Sequence, residues 1–209
     1  MLELCETFRS LQGEGPLMGR PAFFIRLSGC VQPFCPWCDT PEGLQPGTFI
    51  HIDQLMDRLD LQRDRLVVIT GGEPFRQWDQ GLHLLEEELL TRELQVQYET
   101  SGKLRLPQST KGEIICSPKY IDHRWHFDLE NLARPITAFK FVLADETEHV
   151  QAFIAEHGIA RERVWIMAQG AERKQQLDRS GSLWQFCVEH GYNYSPRLHI
   201  LTFDRQRSI

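Results

Sequence analysis

Short runs of β-branched and aromatic residues recur along this chain at intervals that leave room for a helix between them. That rhythm constrains the fold more than any other feature. The runs lie at 22–27, 66–70, 94–98, 113–116, 138–143, 164–167 and 198–202, each of a length suited to one strand. Between them, 51–61, 79–94, 146–156 and 172–190 carry apolar residues at helical spacing. In the first of these, Ile52, Leu55, Met56 and Leu59 share one face. Gly158 and Gly191 follow the last two as stops. Parallel neighbours need a crossover and helices supply it, so the alternation predicts a mainly parallel sheet. An open barrel and a flat sheet fit the pattern equally.

The 209 residues show no repeat, no low-complexity run and no Pro/Gly/Ser-rich linker, so one domain over 1–209 is expected. Lys and Arg total 23 against 29 Asp and Glu, a formal charge of −6. No basic field draws the chain to nucleic acid or to an anionic membrane. Apolar stretches such as 66–69, or 136–143 with its interrupting Lys140, fall far below the ~20 residues of a membrane span. The first residues lack the basic and apolar regions of a secretory signal, and a cytoplasmic protein is expected.

Of six cysteines, Cys5, Cys116 and Cys187 are scattered and read as small buried hydrophobes. Cys30, Cys35 and Cys38 instead fall within nine residues, in a C-x4-C-x2-C loop at 28–40 that follows the 22–27 strand. Thiolates this close can serve one soft metal centre. Two readings stand: a zinc site closed by a histidine such as His51, or three corners of an iron–sulfur cluster with the fourth open. A second motif, Gly71-Gly72-Glu73-Pro74, ends the 66–70 strand. Its bare backbone permits close approach at the carboxyl edge of the sheet, where α/β ligands bind.

The cysteine triad, Trp37 just before its last member, and the Gly-Gly-Glu-Pro turn together resemble the radical S-adenosylmethionine superfamily. The likeness narrows over 8–15, 19–30, 37–40, 99–102, 117–119, 140–142 and 195–199, which are similar, in the same order, to the 7-carboxy-7-deazaguanine synthase family. That superfamily's usual spacing is C-x3-C-x2-C. One extra residue adds little closure entropy, and Pro33 and Pro36 stiffen the longer loop.

The resemblance implies a partial, TIM-like β/α barrel of about six parallel strands. It implies conversion of 6-carboxy-5,6,7,8-tetrahydropterin to 7-carboxy-7-deazaguanine with loss of ammonia, a step of queuosine-type biosynthesis. The implied cofactors are a [4Fe-4S] cluster on Cys30, Cys35 and Cys38, S-adenosylmethionine, and Mg2+ held by Thr40. S-adenosylmethionine would lie against Trp37, Gly71, Gly72, Glu73, Ser101, Ser117, Pro118, Lys119 and Gln169. Leu11, Gln12, Gly13, Glu14, Thr70, Glu99 and His199 would meet the pterin, and Arg26 its carboxylate, which a guanidinium matches with two parallel hydrogen bonds. A flavodoxin or similar reductant and a homodimer are implied as well. Lys140, amid Phe139, Phe141 and Val142, is expected to be paired or near the site. The competing readings are a radical activase that acts on a partner protein and a zinc-binding interaction module.

Overall fold

The computed structural model describes residues 1–144 and 146–206. Its first half comprises β1 (Leu2–Leu11), β2 (Pro21–Leu27), β3 (Thr48–Ile50), α1 (Ile52–Met56), β4 (Leu66–Gly71), α2 (Leu82–Thr91) and β5 (Gln95–Thr100). Then follow β6 (Glu113–Cys116), the hairpin β7 (Lys119–Ile121) and β8 (Arg124–His126), β9 (Ala138–Leu143), α3 (Glu148–Glu156), β10 (Val164–Ala168), α4 (Arg173–His190), β11 (Asn193–Tyr194) and α5 (Leu198–Phe203). One sheet runs in the order β11-β10-β9-β6-β5-β4-β2-β1-β3. From β2 through β10 its strands are parallel and short β11 extends them, while β1 and β3 pair antiparallel at the other edge.

Strand alternation sorts the side chains onto two faces. Phe23, Ile25, Val67, Ile69, Val96, Phe139 and Phe141 point to the helix side, where Leu82, Leu85, Leu89, Val150, Phe153, Leu183 and Phe186 complete the main core. On the other face Ala22, Phe24, Leu66 and Val68 form a small apolar plug with Phe8 and Leu17. Both faces of β4 are therefore buried, which is why 66–69 reads as an unbroken apolar run. Toward the strand ends the inner face turns polar: Arg26 pairs across to Thr70 in the register of β2 and β4.

The sheet curls. Gly15 N donates to Ser195 Oγ (2.7 Å) and Leu198 N to Gly13 O (2.9 Å), tying the chain after β1 to the chain after β11 although the two strands lie near opposite edges. An open, incomplete barrel of about six parallel strands results, as the resemblance implied. No helix among the described residues is long and apolar enough to cross a membrane. Gly191 stops α4 in the left-handed region (φ 69°, ψ 35°), as its position suggested.

Three differences stand out. The 198–202 run is not a strand but α5, of which only Ile200 is fully buried while Leu198, His199 and Leu201 are half-buried. β1 has no clean apolar run, because Glu6 and Ser10 on its inner side, and Gln12 just after it, face a polar cavity. The crossover from β5 to β6 is a loop, and that from β6 to β9 is the β7–β8 hairpin followed by a 3-10 turn at Leu129–Ala133.

Candidate active site

A cavity of about 1070 Å3 opens at the carboxyl ends of the parallel strands, within the curl of the sheet. Cys30, Cys35 and Cys38 share its wall. Burial raises the Cys30 and Cys38 thiols. The loop that carries them is zipped to the end of β4: Gly72 N donates to Leu27 O (3.0 Å) and Glu73 N to Gly29 O (2.8 Å). A Cβ at Gly71 would lie 2.0 Å from Leu27 O, and one at Gly72 would lie 1.9 Å from Gly29 O. The glycines are thus required first by this backbone-to-backbone contact, and they line the cavity as its consequence.

Glu73 departs from expectation. It is fully buried, off the cavity wall, and accepts from Thr100 Oγ1 (2.6 Å), Ser101 N (2.9 Å) and Ser101 Oγ (2.5 Å). Its carboxylate orients the end of β5, which delivers Ser101 to the wall. Ser117, Lys119, Gln169 and Trp37 line the wall too. Lys119 Nζ donates to Ser117 Oγ (2.6 Å), and burial lowers its pKa. Pro118 sits instead in an adjoining cavity of about 240 Å3, shared with Trp37, Lys119, Gln169, Tyr120, Trp125 and His149. Tyr120 and His149 stack there at 4.3 Å.

Gln12, Glu14, Arg26, Thr70, Glu99 and His199 all reach the main cavity. Leu11 and Gly13 do not: Leu11 is 48% exposed, and Gly13 backs His199 so closely that a Cβ would stand 2.3 Å from its Nδ1. Arg26 donates through Nε to Glu6 on β1 (2.8 Å) and lies over the Phe8 ring (5.6 Å), which holds it on the inner face.

The centre of the cavity is a chain of opposite charges. Lys140 Nζ bridges Glu14 Oε2 and Glu99 Oε2 at 2.7 Å each. Arg197 pairs with Glu14 Oε1 (2.9 Å) and with Asp39. Gln97 Nε2 (2.8 Å) and Gln12 Nε2 (3.3 Å) donate to the other oxygen of Glu99. Burial would raise Glu14, but Lys140 and Arg197 overcome it and hold the carboxyl well below the usual range. At Glu99 burial prevails over Lys140 and the carboxyl is raised. Burial also lowers His199, against the pull of Glu14. Lys140 stands out in the sequence as a cation within an apolar strand, whereas Arg197 and Asp39 lie inside motifs whose neighbouring residues carry the stronger signal.

Thr40 lines the wall and donates Oγ1 to Asp39 Oδ1 (3.1 Å). His51 caps α1 off that wall, its N–H donating to Gln54 Oε1 (3.1 Å). No three His, Cys, Asp or Glu side chains among the described residues converge as a single-ion site. Cys116 and Cys187 are buried as expected, but a bulge between Leu4 and Glu6 leaves Cys5 half-buried on the cavity wall.

No family model matches the chain. The 7-carboxy-7-deazaguanine synthase of Aquifex aeolicus is 41% identical over 95% of this chain and 92% of its own length. That of Hyperthermus butylicus is 36% identical over 96% and 92%. The chain belongs to the 7-carboxy-7-deazaguanine synthase family. Its fold agrees with the crystal structure of QueE from Escherichia coli, with a TM-score of 0.74 over 95% of this chain and 94% of that one at 22% identity. Streptococcus suis SuiB bound to precursor peptide SuiA matches less well, with a TM-score of 0.56 over 81% of this chain and 47% of that one at 11% identity. A 7-carboxy-7-deazaguanine synthase implies an iron–sulfur cluster, S-adenosylmethionine and a pterin substrate. The donor set fits: three thiols on one loop open onto a cavity whose lining also carries hydroxyls, amides and paired charges.

Proposed function

We propose that this cavity converts 6-carboxy-5,6,7,8-tetrahydropterin to 7-carboxy-7-deazaguanine with loss of ammonia, supplying queuosine-type biosynthesis. The observation that carries the reading is that one concave wall holds the three cysteines, Arg26 and the Glu14–Lys140–Glu99 bridge. When bound, the cluster and S-adenosylmethionine supply the radical that takes a hydrogen atom; the chain must hold substrate and cofactor and exclude water.

Cys30, Cys35 and Cys38 ligate the cluster. Ser101, Ser117, Lys119, Gly71, Gly72 and Gln169 receive the charged end of S-adenosylmethionine, with Glu73 acting through Ser101. The adjoining cavity, walled by Trp37, Pro118, Tyr120 and Trp125, suits a flat heterocycle such as its base. Arg26 takes the pterin carboxylate. Glu14 and Glu99, kept in place by Lys140 and Arg197, accept from the N–H groups of the pterin edge, with Gln12, Thr70 and His199 beside them. Thr40 and Asp39 offer oxygens to Mg2+, a hard cation that keeps several waters.

The reductant is flavodoxin or a similar carrier. A cytoplasmic location suits cysteines that are all unpaired. The homodimer is formed through α4. Leu177, Trp184 and Val188 on its outer face are 58%, 57% and 67% exposed, and with Gly181 they repeat at coiled-coil spacing. An antiparallel copy would set Leu177 against Val188 and Trp184 over Gly181, above which the space is open. Lys174 near one end would face Glu189 near the other.

An anaerobic assay with the carboxytetrahydropterin, S-adenosylmethionine, a reductant and Mg2+, read by mass, tests the reading. Brown protein that forms the deazaguanine acid upholds it; colourless protein, or cleavage without that product, overturns it.

A further inference from the structure

Lys103 reaches from the loop after β5 back to the cysteine loop. Its Nζ donates to Pro33 O (2.6 Å) and to Val31 O (3.4 Å). Both carbonyls lie between Cys30 and Cys35, in the stretch that is one residue longer than the superfamily's usual spacing.

The platform beneath Lys103 is rigid. Lys103 N donates to Ser101 Oγ (3.3 Å), and Ser101 is held by buried Glu73. Gly102 adopts φ +67°, and a Cβ there would stand 2.6 Å from Cys116 Sγ and 2.7 Å from the Phe127 ring. The turn therefore has little freedom to withdraw the ammonium. The Lys103 ammonium meets neutral carbonyls, and among the described residues no carboxylate pairs with it where it meets the cysteine loop. An uncancelled cation beside a metal cluster stabilises an added electron, and hydrogen bonding and net charge are the levers by which proteins set such potentials.

We propose that Lys103 is a positioning residue for the iron–sulfur cluster: it braces the lengthened Val31–Pro33 stretch and supplies a fixed positive charge that makes the cluster easier to reduce. The inference rests on the functional reading above, because it needs the cluster on Cys30, Cys35 and Cys38.

The test uses anaerobically reconstituted holoprotein of the wild type, Lys103→Met, Lys103→Gln and Lys103→Arg. Two quantities are measured: the midpoint potential by a titration followed by electron paramagnetic resonance, and the rate of iron release to a chelator. Lys103→Met moves the potential to more negative values and speeds iron release about tenfold, the effect of losing a charged hydrogen bond. Lys103→Arg keeps both near the wild type. Lys103→Gln retains a donor without the charge, so it holds its iron better than Met yet shows the same negative shift. An unshifted potential in Gln and Met overturns the electrostatic role, and wild-type iron release in Met overturns the brace. Wild-type protein that takes up no cluster overturns the functional reading itself, a result distinct from a cluster that ignores Lys103.

Discussion

Replacing Lys140 by methionine keeps most of the apolar stem and removes the ammonium that joins Glu14 to Glu99. Lys140 is 6% exposed and each carboxylate 15%, so water offers little compensation. Breaking a buried pair by deleting one partner costs about 3–5 kcal/mol, because a charge is left uncompensated. Glu14 retains Arg197 at 2.9 Å, whereas among the described residues Glu99 retains the Gln97 and Gln12 amides, so the loss falls mainly on Glu99. Glu99 is already raised by burial, and without Lys140 it keeps its proton further toward neutral pH.

A carboxyl raised above its unfolded value stabilises the fold while protonated, and that stability is lost as pH rises through the folded pKa. Glu14 is shifted the other way. Its lowered pKa contributes stability above the unfolded carboxylate range, and Lys140 supplies part of that contribution. The Glu14 loss is therefore nearly the same at pH 5.5 and pH 8, both above the unfolded carboxylate range, and it is Glu99 that makes the deficit of Lys140→Met larger at pH 8. Urea unfolding of wild type and variant at the two pH values, with the slope on denaturant checked for constancy, measures it. A deficit below about 1 kcal/mol at pH 8, or one equal at both pH values, would refute the reasoning.

Cys35→Ala removes the brown chromophore and cleavage of S-adenosylmethionine, while Cys5→Ser, Cys116→Ala and Cys187→Ala keep both, as iron and sulfide analysis reports. Arg26→Ala lowers turnover of the carboxytetrahydropterin about a hundredfold and leaves uncoupled cleavage of S-adenosylmethionine in place; near-wild-type turnover would remove Arg26 from the substrate site. Thr40→Val lowers turnover and blunts its Mg2+ dependence with the iron–sulfur spectrum unchanged, so a variant with the wild-type Mg2+ response argues against Thr40 as ligand. Trp184→Glu converts a dimer to a monomer by light scattering, and a dimer that survives it excludes the α4 seam.

Periodicity and local chemistry were enough to read the parallel strands, the four main helices, the cysteine loop and the Gly-Gly turn, since each is written in a few consecutive residues. Tertiary structure decided the rest. That 198–202 is a helix depends on which side of that short run is buried, and five residues of mixed character do not carry that information. Strand β1 is disguised because its inner face meets a polar cavity rather than a core. Gly71 and Gly72 were legible as positions that need bare backbone, but only the fold shows that the backbone of Leu27 and Gly29 demands it. Glu73 moves behind Ser101 for the same reason: its neighbours come from β5, 27 and 28 residues away. The bridge from Glu14 through Lys140 to Glu99 spans 126 and 41 residues of sequence, and Arg197 reaches Glu14 across 183. A charge gains a partner at that separation only when the sheet has curled, so Lys140 could be recognised from its sequence as a cation in need of carboxylates, while the carboxylates themselves were chosen by the topology.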